Sequence, residues 1–149
     1  MSPEAVETVL AYAAGIMDGE GCIRINWSIR SGAGFSLTAC VSNTKVRLVD
    51  WLERHFGGSI TVAPRDGNRQ PLYKWNLYGA HAASFLRSVY PYLQIKKEEA
   101  ECALAFYDLI ERNRATLHGS DGMTRLLSPS ERMQRIDLWW KLRELKRAI

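Results

Sequence analysis

The stretch Ala13-Ala14-Gly15-Ile16-Met17-Asp18-Gly19-Glu20-Gly21 organises the reading of this chain. Upstream of it and into it, Val6, Val9, Leu10, Ala13, Ala14 and Met17 recur at helical spacing, which makes the stretch the last turns of a helix. Ala11 and Gly15 are four residues apart and Ala14 lies beside Gly15; small side chains at such positions let another backbone approach closely. The helix closes on two carboxylates, Asp18 and Glu20, each followed by a glycine, the residue that ends helices without a Cβ penalty. Free carboxylates beside the negative end of a helix dipole are unfavourable, and a divalent cation would relieve the conflict. As isolated words, Asp-Gly-Glu-Gly fits equally well a packing helix whose acids face water.

Past Gly21 the pattern changes to alternation. Ile23, Ile25, Trp27 and Ile29 fall on one face, and Arg24, Asn26, Ser28 and Arg30 on the other, as in a strand buried on one side. Ser31 to Gly34 supplies a turn. A second strand follows, with Phe35, Leu37, Ala39 and Val41 inward and Ser36, Thr38, Cys40 and Ser42 outward. A polar sheet face is most often only solvated. The chemistry here tilts further, because Arg suits guanine and Asn suits adenine in the major groove, which admits a two-stranded ribbon.

A helix beginning at Asn43 or Thr44 carries Val46, Val49, Leu52 and Phe56 inward and closes at Gly57 and Gly58. Ser59 to Ala63 reads as a third strand with Thr61 outward. The loop that follows holds Arg65, Asn68, Arg69 and Gln70, and a fourth strand runs from Leu72 to Tyr78 with Lys74 and Asn76 as its polar positions. The facing of Tyr73, Trp75 and Leu77 stays open between the core and the ligand surface. A short helix over 80–90 precedes the breaker Pro91-Tyr92-Leu93. A longer one spans about Lys96 to Arg114, with Ala100, Ala103, Leu104, Tyr107 and Ile110 as its stripe. His118 to Gly122 reads as a linker. Ser128-Pro129-Ser130-Glu131 is a capping box that opens a last helix carrying Met133, Ile136, Trp140, Leu142 and Leu145.

A length of 149 residues suits one domain, and 46% apolar with 24% charged residues describes a soluble globular protein. The formal charge of +4 favours a polyanionic partner. Cys22, Cys40 and Cys102 are odd in number and widely spaced, so they read as reduced thiols. His55, His81 and His118 lack ligand spacing. Trp139 and Trp140 read as core or interface rather than as a platform for stacked bases. With no apolar run of membrane length and no basic-then-apolar start, the expectation is an intracellular protein, in cytoplasm, nucleoid or organelle matrix, and not secreted. A small-molecule enzyme would need a phosphate loop or a nucleophile triad, and neither is present.

The nine-residue string resembles the motif of the LAGLIDADG homing endonucleases. Ala13 stands at the first position, Ala14 and Gly15 match, and Ile16 and Met17 are apolar equivalents. Asp18 matches the first acid, while Gly19 replaces alanine and Glu20 replaces the second aspartate. The order α, β, β, α, β, β, α, α also matches, over roughly residues 5 to 112. The resemblance implies an α+β fold, with an αββαββα core whose four-stranded antiparallel sheet forms a DNA-binding saddle, plus a C-terminal helix. Residues 1–114 would form the core and 115–149 a helical extension of the same domain.

For the site, the resemblance implies that Glu20 holds a catalytic divalent metal such as Mg²⁺, joined by the Gly19 carbonyl. Asn43 would hold a water near the scissile phosphate, with Arg47 at the site's edge. Lys96 would approach the phosphate, with Lys97 as the competitor. DNA contacts would come from Arg24, Asn26, Ser28, Arg30, Ser36, Thr38, Cys40, Thr61, Arg65, Asn68, Arg69, Gln70, Lys74 and Asn76. One motif per chain implies a homodimer, with Ala11, Ala14, Gly15 and Asp18 at the interface and Asp18 bonding backbone at the motif junction. The implied function is a metal-dependent endonuclease that cuts both strands of a long, roughly palindromic duplex and is encoded by a mobile intron or similar element. A non-cleaving regulator or splicing maturase on the same scaffold is the competing class. No organic cofactor and no membrane partner is implied.

Overall fold

The computed structural model describes residues 1–27, 35–117 and 127–148. Helix α1 spans Pro3–Glu20 and runs directly into strand β1, Gly21–Trp27. Ser2 caps α1, its Oγ accepting from the Ala5 N–H at 3.2 Å, and Pro3 supplies the fixed φ of a first helical residue. Then come β2 (Phe35–Asn43), α2 (Val46–Phe56), β3 (Ser59–Ala63), β4 (Leu72–Tyr78) and α3 (Gly79–Val89). A single 3₁₀ turn at Tyr90–Tyr92 leads to α4 (Lys97–Leu117), and α5 occupies Pro129–Arg147.

The four strands form one antiparallel sheet in the order β1-β2-β4-β3. This is the expected α+β arrangement with an additional C-terminal helix. One face of the sheet is covered by helices. Ile23, Ala39 and Leu77 form one apolar row across β1, β2 and β4, and Val41 and Trp75 belong to another; all five are buried. Tyr73, Trp75 and Leu77 therefore point to the core side, and Trp75 anchors it. Fully buried, it donates its indole N–H to the Gly57 carbonyl at 2.7 Å, tying the end of α2 to β4. Gly57 and Gly58 have φ of +72° and +95°, and a Cβ on Gly58 would lie 2.5 Å from the Asn76 carbonyl oxygen, so that turn demands glycine twice over.

Several helical stripes are rotated from the sequence expectation. Val46 and Val6, in the first turns of their helices, are exposed. In α4 the deepest positions are Ala100, Cys102, Ala103, Phe106, Leu109 and Asn113, while Leu104, Tyr107 and Ile110 lie at the flank. The cause is α5, which packs along α4 and against β1 and so buries a second side of α4. Within α5, Leu142 and Arg135 are buried while Met133 and Trp140 are exposed. Arg135 is taken in because its Nε and Nη2 both reach the Asn113 Oδ1, at 3.3 and 3.2 Å. The capping box of α5 forms as expected: Ser128 Oγ accepts from the Glu131 N–H at 3.2 Å, and Glu131 accepts from the Ser128 N–H at 2.7 Å. The expected turn at 31–34 and the linker at 118–122 lie outside the described residues, as does Ile29. Among the described residues, no helix is long and apolar enough to cross a membrane.

Candidate nucleic-acid interface

The motif helix ends in a two-way clamp. The Asp18 carboxylate accepts three backbone N–H bonds from the segment leading into α4: Gln94 at 2.8 Å, Ile95 at 3.1 Å and Lys96 at 2.9 Å. In return, Lys96 Nζ donates to the Asp18 carbonyl oxygen at 2.7 Å. An anion thus sits at the positive start of α4 and a cation at the negative end of α1, and both placements complement the dipoles. The last turn of α1 contains no basic residue of its own, so Lys96 supplies that charge from elsewhere in the chain. Lys97 goes another way, its ammonium lying 5.1 Å from the centre of the Tyr90 ring. Of the two competing lysines, Lys96 is the one at the motif.

Glu20 is exposed and makes no hydrogen bond or ion pair among the described residues. Gly19 is exposed beside it, with nothing within 4 Å of the position its Cβ would take. Exposed Ala11 and Gly15 lie on the outward side of α1, and Gly15 is equally open. Ala14, by contrast, is fully buried within its own chain. Asp18 is likewise engaged within the chain through its clamp.

Asn43 follows closely on Val41, the cross-strand partner of Gly21, and Arg47 lies in the first turn of α2. Together with Tyr12, Lys45, Leu48, Trp51 and Arg54 they line a depression of about 550 Å³ on the outer side of α2. Asn43 is the last residue of β2 rather than the start of the helix. Its Oδ1 accepts from the Lys45 N–H at 2.8 Å, a local turn bond that delays α2 until Val46. Sequence reading missed Lys45 and Arg54 here, because helix-surface cations carry no periodic signal; with Arg47 they make this rim strongly basic.

The face of the sheet away from the helices carries the polar rows. Cys22, Cys40, Asn76 and Ser59 align across all four strands, Arg24, Thr38 and Tyr78 form a second row, and Ser42, Lys74 and Thr61 a third. Asn26 and Ser36 pair at the β1 end, where Asn26 Nδ2 donates to Thr38 Oγ1 at 2.7 Å and to Ser36 Oγ at 3.4 Å. Asn76 Nδ2 donates to the Lys74 carbonyl at 3.1 Å and to Thr61 Oγ1 at 3.5 Å.

The central positions are the floor of this face: Thr38, Cys40 and Asn76 are only 5, 2 and 3% exposed. Short side chains in the middle strands are overtopped by their neighbours, so what a bound molecule meets is the surrounding set of Arg24, Asn26, Ser36, Thr61 and Lys74. Arg65, Asn68, Arg69 and Gln70 are exposed on the β3–β4 loop, where Arg65 Nε donates to the Gln70 carbonyl at 2.9 Å. Ser28 and Arg30 lie outside the described residues.

One cation on this face comes from the tail. Lys146 of α5 donates to Cys22 Sγ at 3.2 Å, beside Arg24 Nε at 3.3 Å. A hydrogen bond from Cys40, joined by those two cations, holds the Cys22 thiol well below its ordinary range, while the same bond pushes Cys40 up. Nothing in the alternation of β1 announces Lys146, since it arrives from more than a hundred residues downstream.

No protein-family model matches the chain, and no curated protein matches it in sequence. Solved structures do. The homing endonuclease I-CvuI, in complex with its target in the presence of 2 mM Ca, superposes with a TM-score of 0.71 at 17% identity, over 95% of this chain and 84% of that one. The archaeal intron-encoded homing endonuclease I-Vdi141I, complexed with DNA, gives 0.71 at 10% identity, over 93% and 84%. The LAGLIDADG homing endonuclease I-SmaMI, bound to cleaved DNA, gives 0.61 at 16% identity, over 87% of this chain but 42% of that one. A nine-residue motif, its clamp to the start of α4 and near-complete superposition at such low identity agree on one conclusion: this chain has the fold of the LAGLIDADG homing endonucleases.

Proposed function

We propose that the protein is a homodimeric, site-specific DNA endonuclease that breaks both strands of a long, roughly palindromic site by metal-dependent phosphodiester hydrolysis. The observation that carries the proposal is the contrast between the two motif acids. Asp18 is bonded three times into its own chain, whereas Glu20 stands exposed, without a partner among the described residues, where α1 enters the polar-faced sheet. The Glu20 carboxylate and the Gly19 carbonyl are hard oxygen donors suited to Mg²⁺. A divalent cation there would supply positive charge for the phosphate as it gains negative charge during cleavage. Among the described residues no three His, Cys, Asp or Glu side chains converge, so one chain offers an incomplete ligand set, to be completed by phosphate oxygens, water or a second copy.

Exposed Ala11 and Gly15 support such a second copy packed against α1, which would set two Glu20 side chains on either side of a two-fold axis and pair two half-sites. I-SmaMI, matched over 42% of its length, leaves room for a second unit of this size within one chain. Lys96 lends its charge at the motif, and Asn43 and Arg47 hold water and phosphate oxygen at the basic rim. Arg24, Asn26, Lys74 and the β3–β4 loop read the duplex, with Arg and Asn matched to purine edges. The protein's charge of +4 favours the approach of a polyanion. The division into a core of 1–114 and an extension of 115–149 is part of the same proposal.

The test is a selection from randomised duplexes, run in Mg²⁺ and separately in Ca²⁺. Recovery of a near-palindromic site cut on both strands in Mg²⁺ is the expected result. Enrichment of bound but uncut duplex in both ions would instead make this a binding protein, a regulator or splicing maturase, on the nuclease scaffold.

A further inference from the structure

Two of the three thiols in this chain stand side by side on the polar face of the sheet. Cys22 on β1 and Cys40 on β2 are direct cross-strand partners, their side chains on the same face of the sheet. Residues directly opposed in an antiparallel pair have Cα atoms about 4.5–5.5 Å apart, inside the range of about 4.4–6.8 Å that a disulfide spans. The strands therefore need no separation or register change for the sulfurs to join. Access is divided between them: Cys22 is half-buried and open to a small solute, whereas Cys40 is buried between Cys22 and Asn76 in the same row. Arg24 Nε and Lys146 Nζ both donate to the Cys22 sulfur, and Glu99, 3.8 Å from Lys146, holds that lysine in turn. The third thiol, Cys102, is spent elsewhere, donating to the Leu138 carbonyl at 3.4 Å between α4 and α5.

We propose that Cys22 and Cys40 form an oxidation site for hydrogen peroxide, at which the pair closes to a disulfide bridging β1 and β2. The Cys22 sulfur attacks the outer oxygen of the peroxide and the O–O bond breaks. The departing hydroxide leaves as water with the Cys22 proton. Sulfur is oxidised by two electrons to the sulfenic acid and the peroxide is reduced. The Cys40 sulfur then displaces hydroxide from Cys22, and its own proton leaves with that hydroxide as a second water. Thiol reductants reverse the bridge by exchange through the exposed sulfur. The arrangement needs no metal and no duplex, so it stands apart from the cleavage reading.

The experiment treats the reduced, full-length protein with hydrogen peroxide, blocks remaining thiols with iodoacetamide under denaturing conditions, and maps the products by mass spectrometry. The expected result is an oxidised chain lighter by two hydrogens before alkylation, with one blockable cysteine where the reduced protein has three. A Cys22–Cys40 cross-linked peptide should accompany it and vanish on reduction with dithiothreitol. Three blockable cysteines after treatment, or Cys22 driven to its sulfinic acid while Cys40 remains blockable, would overturn the proposal. The variant Cys40→Ser gives a second check: Cys22 should then be trapped by dimedone as the sulfenic acid, with no intramolecular bridge. Absence of that adduct would equally overturn it.

Discussion

Replacing Asp18 by alanine removes the acceptor of three backbone N–H bonds at 2.8, 3.1 and 2.9 Å. A hydrogen bond to a charged group contributes about 1.5–3 kcal/mol. Full additivity would give roughly 4.5–9, but the three share one carboxylate that is itself only half-buried, and water can reach the amides of Gln94 and Ile95. Discounting for that replacement leaves about 2–4 kcal/mol. For a domain of this size each kcal/mol shifts Tm by about 2–4 °C, so a loss near the middle of that range lowers Tm by roughly 6–12 °C.

Asp18→Asn keeps one oxygen for Ile95 and Lys96 but turns an amide N–H₂ toward Gln94, and should cost about half as much. Urea unfolding at fixed protein concentration is the assay, with the midpoint moving and the slope unchanged. Because Asp18 and Lys96 are bonded to each other in both directions, Lys96→Met should couple to Asp18→Ala by about 0.5–3 kcal/mol. An Asp18→Ala protein within about 0.5 kcal/mol of wild type would refute the clamp as a structural element. Strict additivity of the two substitutions would mean that the two directions of the clamp act independently.

Glu20→Gln, which removes the charge but keeps the size, should abolish cleavage in Mg²⁺ while leaving duplex retention on a filter intact; a fully active variant would remove Glu20 from metal binding, and a chelator should reproduce the variant's behaviour. Trp75→Phe should cost about 1–3 kcal/mol in urea unfolding by leaving the Gly57 carbonyl without its donor. Gly58→Ala should cost at least about 1 kcal/mol through its positive φ alone, and more through the contact with the Asn76 carbonyl, while Gly67→Ala, which meets nothing within 4 Å, should cost only the backbone part. Asn26→Ala should change preference at one base pair by about 1–3 kcal/mol; weakening spread evenly over all sequences would assign Asn26 to the phosphates instead.

Much of this fold was legible because its signals are local. The alternation after Gly21 and the capping box at Ser128 need only neighbouring residues, and both elements form where the pattern places them. What escaped depended on distant partners. The buried face of α4 turned because α5 covers a second side of it, a fact that no periodicity within α4 contains. Asn43 ended a strand instead of opening a helix because its side chain bonds the Lys45 N–H, a competition between local turn and helix that composition leaves undecided. In the candidate site, the motif acids and Lys96 came from recognisable words in the sequence. The basic rim of Lys45 and Arg54, and Lys146 beside Cys22, came from surface positions that any soluble helix fills with cations.

The spacing of the motif acids explains how one helix end holds a fixed acid and a free one. Successive helical residues turn by about 100°, so residues two apart face nearly opposite directions and residues four apart share a side. Asp18 and Glu20 are two apart: with Asp18 turned inward to the 94–96 amides, Glu20 must turn out. Ala14 lies four before Asp18 on the inward side and is fully buried, while Ala11, Gly15 and Gly19, each four from the next, fall together on the open side. A single rotation of α1, set by burying Ala13, Ala14 and Met17, therefore decides at once which acid braces the chain, which acid stays exposed and which small residues lie open on the outer side. Moving the acids to positions one or three apart would break that assignment even with the composition unchanged.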